Sequence, residues 1–278
     1  MITARSQERT TLISIRFLFA FTGCALVNKK TLPLVDYFGA GNETKGWQLT
    51  MVLYGLVAAV IFLITFFSTK ERISPPAQQK TNPIEDIRDL LQNRPWLILF
   101  ALAMIIMMTI TMRAGSAYYY FHYYVERPEL LPDYLLWQMI AYAAGAVMAP
   151  VMTRYLDKAK LLMLLMLIVC ALSIAFYFVP KDMIWAMFTL NILISLALGP
   201  KSPLTWSMYA DTADYNEWKH GRRATAMTFS AATFAQKLGG SLGSAGMLWV
   251  LAAIGYAANQ AQTGASQTGI ALLQTAIP

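Results

Sequence analysis

Three groups of residues carry chemistry in this sequence. The first centres on Lys237, flanked by Ser230, Thr233, Ser241 and Ser244 at offsets of −7, −4, +4 and +7. At 3.6 residues per turn, those offsets put all five on one helical face. A polar stripe bearing one ammonium suits the wall of a hydrophilic cavity; it also suits a lysine paired structurally with a carboxylate inside a bundle. The second group is DTADYNEWKHGRR, residues 211–223. Asp211, Asp214 and Glu217 recur every third residue there, with Tyr215 among them and Lys219, Arg222 and Arg223 behind. Acids at that spacing can hold magnesium for an intramembrane prenyl or phosphoalcohol transferase. Such a site needs a second acidic cluster opposite, and Glu85, Asp86 and Asp89 are interleaved with Arg88 in a surface-helix pattern. The other chemistry open to the segment is ion pairing across the ends of two helical bundles, where individually weak pairs can break and re-form.

A third cluster is aromatic: Tyr118, Tyr119, Tyr120, Phe121, His122, Tyr123 and Tyr124 follow Arg113. Amphipathic rings collect at membrane interfaces, so a belt is the simplest reading. A platform for the C–H faces of a sugar, with Tyr120 in it, is the sharper one, and His122 adds a proton carrier to the possibilities.

The elements that must position these groups are membrane spans. Of the 278 residues, 57% are hydrophobic and 13% charged, against roughly 45–50% and about 25% in a soluble domain. One core cannot hide that much apolar surface, which excludes the soluble class. Runs at 12–35, 48–68, 96–118, 133–153, 161–180, 183–200 and 225–256 are long enough to cross a hydrocarbon layer about 30 Å thick, predicting seven spans in an all-α membrane protein. Cys24 and Cys170 lie inside such runs and are expected to be buried free thiols. Gly239, Gly240, Gly243 and Gly246 are expected to let another helix approach closely.

The formal charge of +7 is an orientation signal, not a nucleic-acid footprint. Bases gather before the first span, in the 69–95 loop, after the fourth span (Arg154, Lys158, Lys160) and after the sixth (Lys201, Lys219, Arg222, Arg223). The opposite loops hold only Lys45, Arg127 and Lys181. That asymmetry predicts a cytoplasmic N-terminus. In the 69–95 loop, Ile84, Ile87, Leu90 and Leu91 follow a proline-rich stretch at helical spacing, predicting a short amphipathic helix along the membrane surface. The polar start, Met1 to Thr11, and the apolar segment from Gly269 that stops at Pro278 suggest a longer architecture cut at both ends.

DTADYNEWKHGRR, the Lys237-Leu238-Gly239 segment, and Gly255-Tyr256 with Asn259 closely resemble the glycoside–pentoside–hexuronide:cation symporter family, the melibiose-carrier branch of the major facilitator superfamily. RSQERTTLISIRF (5–17) and Pro33-Leu34-Val35 resemble that family's fifth helix. Trp206, five residues before Asp211, and the Arg113 context are more similar to xyloside- or glucoside-type carriers. The resemblance covers essentially the whole chain and implies a partial major facilitator bundle of about seven helices, corresponding to helices five to eleven of twelve. Residues 1–68 would be the last two helices of the N-terminal half, 69–95 the central cytoplasmic loop, and 96–278 the C-terminal bundle without its last helix.

It implies secondary active transport of a sugar or glycoside coupled to sodium or a proton, across the cell inner membrane, with membrane lipid as the other partner. No enzyme activity, cofactor, metal or nucleic acid is expected. Arg16 and Lys237 match the family's sugar-cavity Arg and Lys, and Ser241, Thr233, Tyr120 and Trp206 complete the implied substrate site. Asp211, Asp214, Tyr215, Glu217 and Arg222 match its cytoplasmic closure, with Arg9 as partner from the other half. Lys29 and Lys30 depart from the family pattern. The family's cation-binding carboxylates lie in helices one, two and four, so the chain alone is not expected to couple transport. A membrane remnant or interaction protein that does not transport is the alternative from another class.

Overall fold

The computed structural model describes residues 6–69, 83–220, 225–258, 260 and 262–278, and among them every regular element is helical. Ten α-helices follow in order: α1 (Ser6–Gly39), α2 (Glu43–Ser68), α3 (Pro83–Leu91), α4 (Arg94–Tyr119), α5 (Leu131–Met152), α6 (Lys158–Tyr177), α7 (Ile184–Leu198), α8 (Lys201–His220), α9 (Thr225–Ala253) and α10 (Gly264–Gln274). Short polar residues start several of them. Asn42 accepts from the Lys45 amide at 3.1 Å, Asn93 from the Trp96 amide at 3.2 Å, and Asp157 from the Ala159 amide at 3.2 Å. Each cap satisfies one of the donors a helix leaves unpaired in its first turn.

Among the described residues six stretches are long and apolar enough to cross a membrane: α1, α2, α4 with its extension to Tyr124, α5 with the turn before it, α6, and Ile184–Lys219. α9 is long enough at 29 residues, but Gln236, Lys237 and its serines and glycines dilute its hydropathy.

Ile184–Lys219 corrects the sequence expectation. The apolar run at 183–200 does not end in a basic loop; it continues through α8, so Lys201 lies within the span and Asp211 to Lys219 are helical. Gly199 and Pro200 interrupt it. Pro200 has no N–H to offer the Leu196 carbonyl, and α5 packs directly against that carbonyl: a Cβ on Gly145 would sit 2.3 Å from the Leu196 oxygen.

The helices pack mainly in pairs, α4 along α9, α1 along α5 and α2, and α5 and α6 against α7. Gly239 and Gly243 make the α4–α9 approach possible, since a Cβ at either would fall 2.1 Å from the Met104 oxygen or 2.4 Å from the Met108 oxygen. Gly240 and Gly246 meet only ordinary contact distances, so the expected packing role belongs to two of the four. The core is aromatic toward one end, where Tyr120, Phe121, Tyr134 and Phe176 interlock, and has Leu90, Trp96, Leu99 and Tyr209 toward the other.

Cys24 and Cys170 are free but exposed, correcting the expectation of burial. In a membrane protein an apolar run also faces outward, so hydrophobic company does not imply a core position. The outer face of α2 shows the same rule, with Phe62, Phe66 and Phe67 all three-quarters exposed. α3 exists as the spacing predicted; its Leu90 is buried against the bundle, while Ile87 and Leu91 are exposed.

Candidate functional site

Arg9 reaches from the first turns of α1 to α8. Its Nη1 donates to Asp214 Oδ2 at 2.8 Å, and its Nη2 lies 3.4 Å from Asp211 Oδ1. The other Asp211 oxygen accepts from Lys158 Nζ of α6 at 2.5 Å, and Lys158 also donates to Ser207 Oγ at 2.6 Å. Ser207 Oγ is 3.0 Å from Thr10 Oγ1. On the flank, Gln7 Nε2 donates to the Pro150 carbonyl at 2.6 Å and Gln7 Oε1 accepts from Thr153 Oγ1 at 3.3 Å. The cluster therefore fastens α1 to α5, α6 and α8 at one end of the bundle.

The helical spacing of Asp211 and Asp214 puts both on one face of α8, within reach of a single guanidinium. Their side chains remain more than a third exposed, so each pair is worth about 0–1 kcal/mol. A closure made of such pairs is easily broken and re-formed.

Seven residues along α1, and so on the same face and roughly 10 Å further along the axis, stands Arg16. Its guanidinium carbon lies 5.6 Å from the centre of the Trp206 ring. Trp206 stacks on Phe229 of α9 at 5.7 Å and 16°, and meets Tyr209 edge-on at 6.1 Å. The indole is thus held between α1 and α9 with a cation on it. Beside it opens a cleft of about 70 Å³, lined among others by Phe17, Ile106, Lys201, Thr205, Trp206 and Gln236. A larger concavity of about 470 Å³ lies on α2 against Val60, Leu63, Ile64, Phe67 and Ser68, with little to orient a polar ligand.

Of the residues picked out in the sequence, Arg9, Asp211 and Asp214 come together at the bundle end, and Arg16 meets Trp206, which lines the cleft. Lys237, Ser230, Ser241 and Ser244 share the open face of α9, with Thr233 half-buried. Ser241 Oγ donates to the Lys237 carbonyl at 3.1 Å and Thr233 Oγ1 to the Phe229 carbonyl at 2.9 Å. Lys237 does not line the small cleft; its neighbour Gln236 does. Tyr215 is exposed and lies 5.8 Å from Trp218, and Glu217 is exposed. Arg222 lies outside the described residues.

Tyr120 stands apart. It is 1% exposed, buried in the core, where its hydroxyl donates to the Met187 sulfur at 3.7 Å. The aromatic run is therefore not a uniform belt. Residues 120–124 form a π-helical turn that sends Tyr120 and Phe121 inward and leaves Tyr118 outside, stacked on His122 at 5.4 Å. Arg113 is also buried, donating to Ser173 Oγ at 3.3 Å and lying 5.8 Å from the Phe176 ring. Sequence reasoning missed Lys201 and Gln236. The signal was present in TWSMYA, residues 205–210, whose mixed apolar character allows the span to run on past Pro200.

The sequence matches the family model described as MFS/sugar transport protein over residues 1–278. It is similar to the inner membrane symporter YicJ of Escherichia coli (strain K12), with 32% identity over 100% of this chain and 60% of that protein. The isoprimeverose transporter of Lactiplantibacillus pentosus is 30% identical, again over 100% of this chain and 58% of its own length. YagG of Escherichia coli (strain K12), whose name carries a provisional glycoside/cation symporter assignment, is 31% identical over 93% of this chain and 56% of its own. The chain thus spans somewhat over half the length of the relatives it matches.

Proposed function

The chain belongs to the MFS/sugar transport protein family of multi-pass helical carriers, and from that premise we propose that it takes part in symport of a sugar or glycoside with sodium or a proton across the bacterial inner membrane. The observation that carries the proposal is the shared face of α1: Arg9 meets Asp211 and Asp214 of α8 while Arg16, two turns on, meets Trp206 of the same helix. A carrier needs a binding site and a closure on one seam, so that occupancy of one biases the other.

In this proposal Trp206 offers its face to the C–H surface of a sugar, and Arg16 donates to hydroxyls. Lys237, Thr233 and Ser241 extend the polar wall along α9. Arg9, Lys158, Asp211 and Asp214 hold the cytoplasmic side shut, with the N-terminus on that same side, as the asymmetry of basic residues between the loops also favours. The carboxylates meet cations within the bundle, an arrangement for gating more than for assembling a diphosphate–magnesium site. The test is uptake of labelled glycosides into proteoliposomes under an imposed sodium or proton gradient. The chain would be compared alone and completed to the length of its relatives, and the completed carrier is expected to accumulate a glycoside.

A further inference from the structure

Asn93 ties the corner between α3 and α4 to the gate. It is fully buried, and the two ends of its side-chain amide bond to different helices. Its Oδ1 accepts from the Trp96 amide at 3.2 Å and caps α4, while its Nδ2 donates to the Thr212 carbonyl of α8 at 3.3 Å. Those two contacts orient the amide, because the flipped form would set donor against donor at Trp96 and acceptor against acceptor at Thr212. Capping accounts for one end alone. A serine or an aspartate caps a helix as well as an asparagine does, and neither offers the amide N–H that reaches Thr212.

Thr212 lies between the two gate aspartates. Asp211 and Asp214 follow Ser207 at offsets of +4 and +7, which puts all three on the face of α8 that meets Arg9 and Thr10 of α1. Thr212, Ala213 and Asn216 follow Tyr209 at +3, +4 and +7 on the opposite face, and all four are buried. Tyr209 donates its hydroxyl to the Leu99 carbonyl of α4 at 3.3 Å, and Asn93 holds the next turn, the one that carries the carboxylates. We propose that Asn93 is a positioning residue of the gate: by holding the Thr212 carbonyl it sets the rotation of α8 at which Asp211 and Asp214 both reach Arg9. This rests on the gate reading above and deepens it. A guanidinium that serves two carboxylates depends on their direction. Pairs as exposed as these contribute too little to fix the helix end themselves, and the buried bond beneath them does so.

The experiment reads the gate as the rate at which a water-soluble maleimide labels a cysteine introduced at Thr10. It is run on the chain in lipid nanodiscs and on the carrier completed to its relatives' length. Asn93→Ser keeps a cap and removes the amide N–H; Asn93→Ala removes both. Each is expected to speed labelling about threefold to tenfold, the effect of one neutral hydrogen bond. Asn93→Ala should lower the thermal midpoint beyond Asn93→Ser, because it also forfeits the cap. In an Arg9→Ala background, where the pairs are already broken, Asn93→Ser should add nothing. Asn93→Asp, whose ionised carboxylate caps without donating, takes the place of the serine variant if that one does not fold. An Asn93→Ser rate equal to wild type, with Arg9→Ala faster, overturns the inference and leaves the gate standing. So does an acceleration that persists undiminished in the Arg9→Ala background, which would make Asn93 a cap only. An Arg9→Ala variant that labels no faster than wild type removes the gate, and this inference with it.

Discussion

The Arg16 guanidinium rests 5.6 Å from the centre of the Trp206 ring, and through that contact α1 is joined to the stacked Trp206–Phe229 pair of α8 and α9. Cation–π contacts contribute about 0.5–1 kcal/mol when exposed and about 2 when desolvated. Arg16 itself is exposed on the helix surface, so the lower figure applies. The contact is therefore too weak to hold the fold and well suited to being exchanged for a ligand.

Arg16→Ala and Trp206→Leu are accordingly expected to lower glycoside affinity by about tenfold or more. Their thermal midpoints should stay within a few degrees of wild type, about the shift that 1 kcal/mol produces in a chain of this size. Binding calorimetry read beside a melting curve separates the two effects. A large loss of midpoint with unchanged affinity would make the pair structural.

Arg9→Ala and Asp214→Asn are expected to open the bundle end where α1 begins. Labelling of a cysteine introduced at Thr10 by a water-soluble maleimide should speed up in both variants. Each should cost no more than about 1 kcal/mol of stability, given how exposed the aspartates are. The exchanged pair, Arg9→Asp with Asp214→Arg, should slow labelling again relative to either single change. A rate unaffected by any of these would remove the gate.

Gly239→Leu and Gly243→Leu should impair folding far more than Gly240→Leu, because only the first two lie against the α4 backbone. Overpacking typically costs about 1–3 kcal/mol, and a side chain forced onto a carbonyl belongs at the upper end. Detergent-resistant folded yield and thermal midpoint are the measurements.

Tyr120→Phe should leave transport intact, since among the described residues its hydroxyl donates to the Met187 sulfur alone. Cys24 and Cys170 should react with a lipid-soluble maleimide and resist a membrane-impermeant one. Loss of transport in Tyr120→Phe would return the aromatic run to the substrate site.

How much of this was legible in the sequence depends on which solvent a residue faces. Most of the spans were, because a bilayer demands long apolar runs whatever the packing; the bounds of the sixth were not. The pairing of Arg9 with Asp211 and Asp214 was within reach only through the family resemblance, which implies Arg9 as partner from the other half; spacing alone does not join α1 to α8. Lys201 was not, because Gly199-Pro200 after an apolar run looks like a stop signal, whereas in the structure α5 packs on the Leu196 carbonyl and α8 runs on. Tyr120 was lost to a change of helical register: a π-turn redirects side chains without altering composition. The two cysteines show the general difficulty. In lipid the perimeter is as apolar as the core, so hydrophobicity names the span and leaves its inward face unassigned.

The central claim is that this seam serves gradient-driven transport. The most direct test is accumulation of a labelled glycoside by proteoliposomes holding the carrier completed to its relatives' length, with a sodium or proton gradient imposed and then collapsed by an ionophore. The account predicts accumulation above equilibrium that disappears with the gradient and is abolished by Lys237→Ala. A folded carrier that takes up no sugar or glycoside, with either gradient or none, would contradict it.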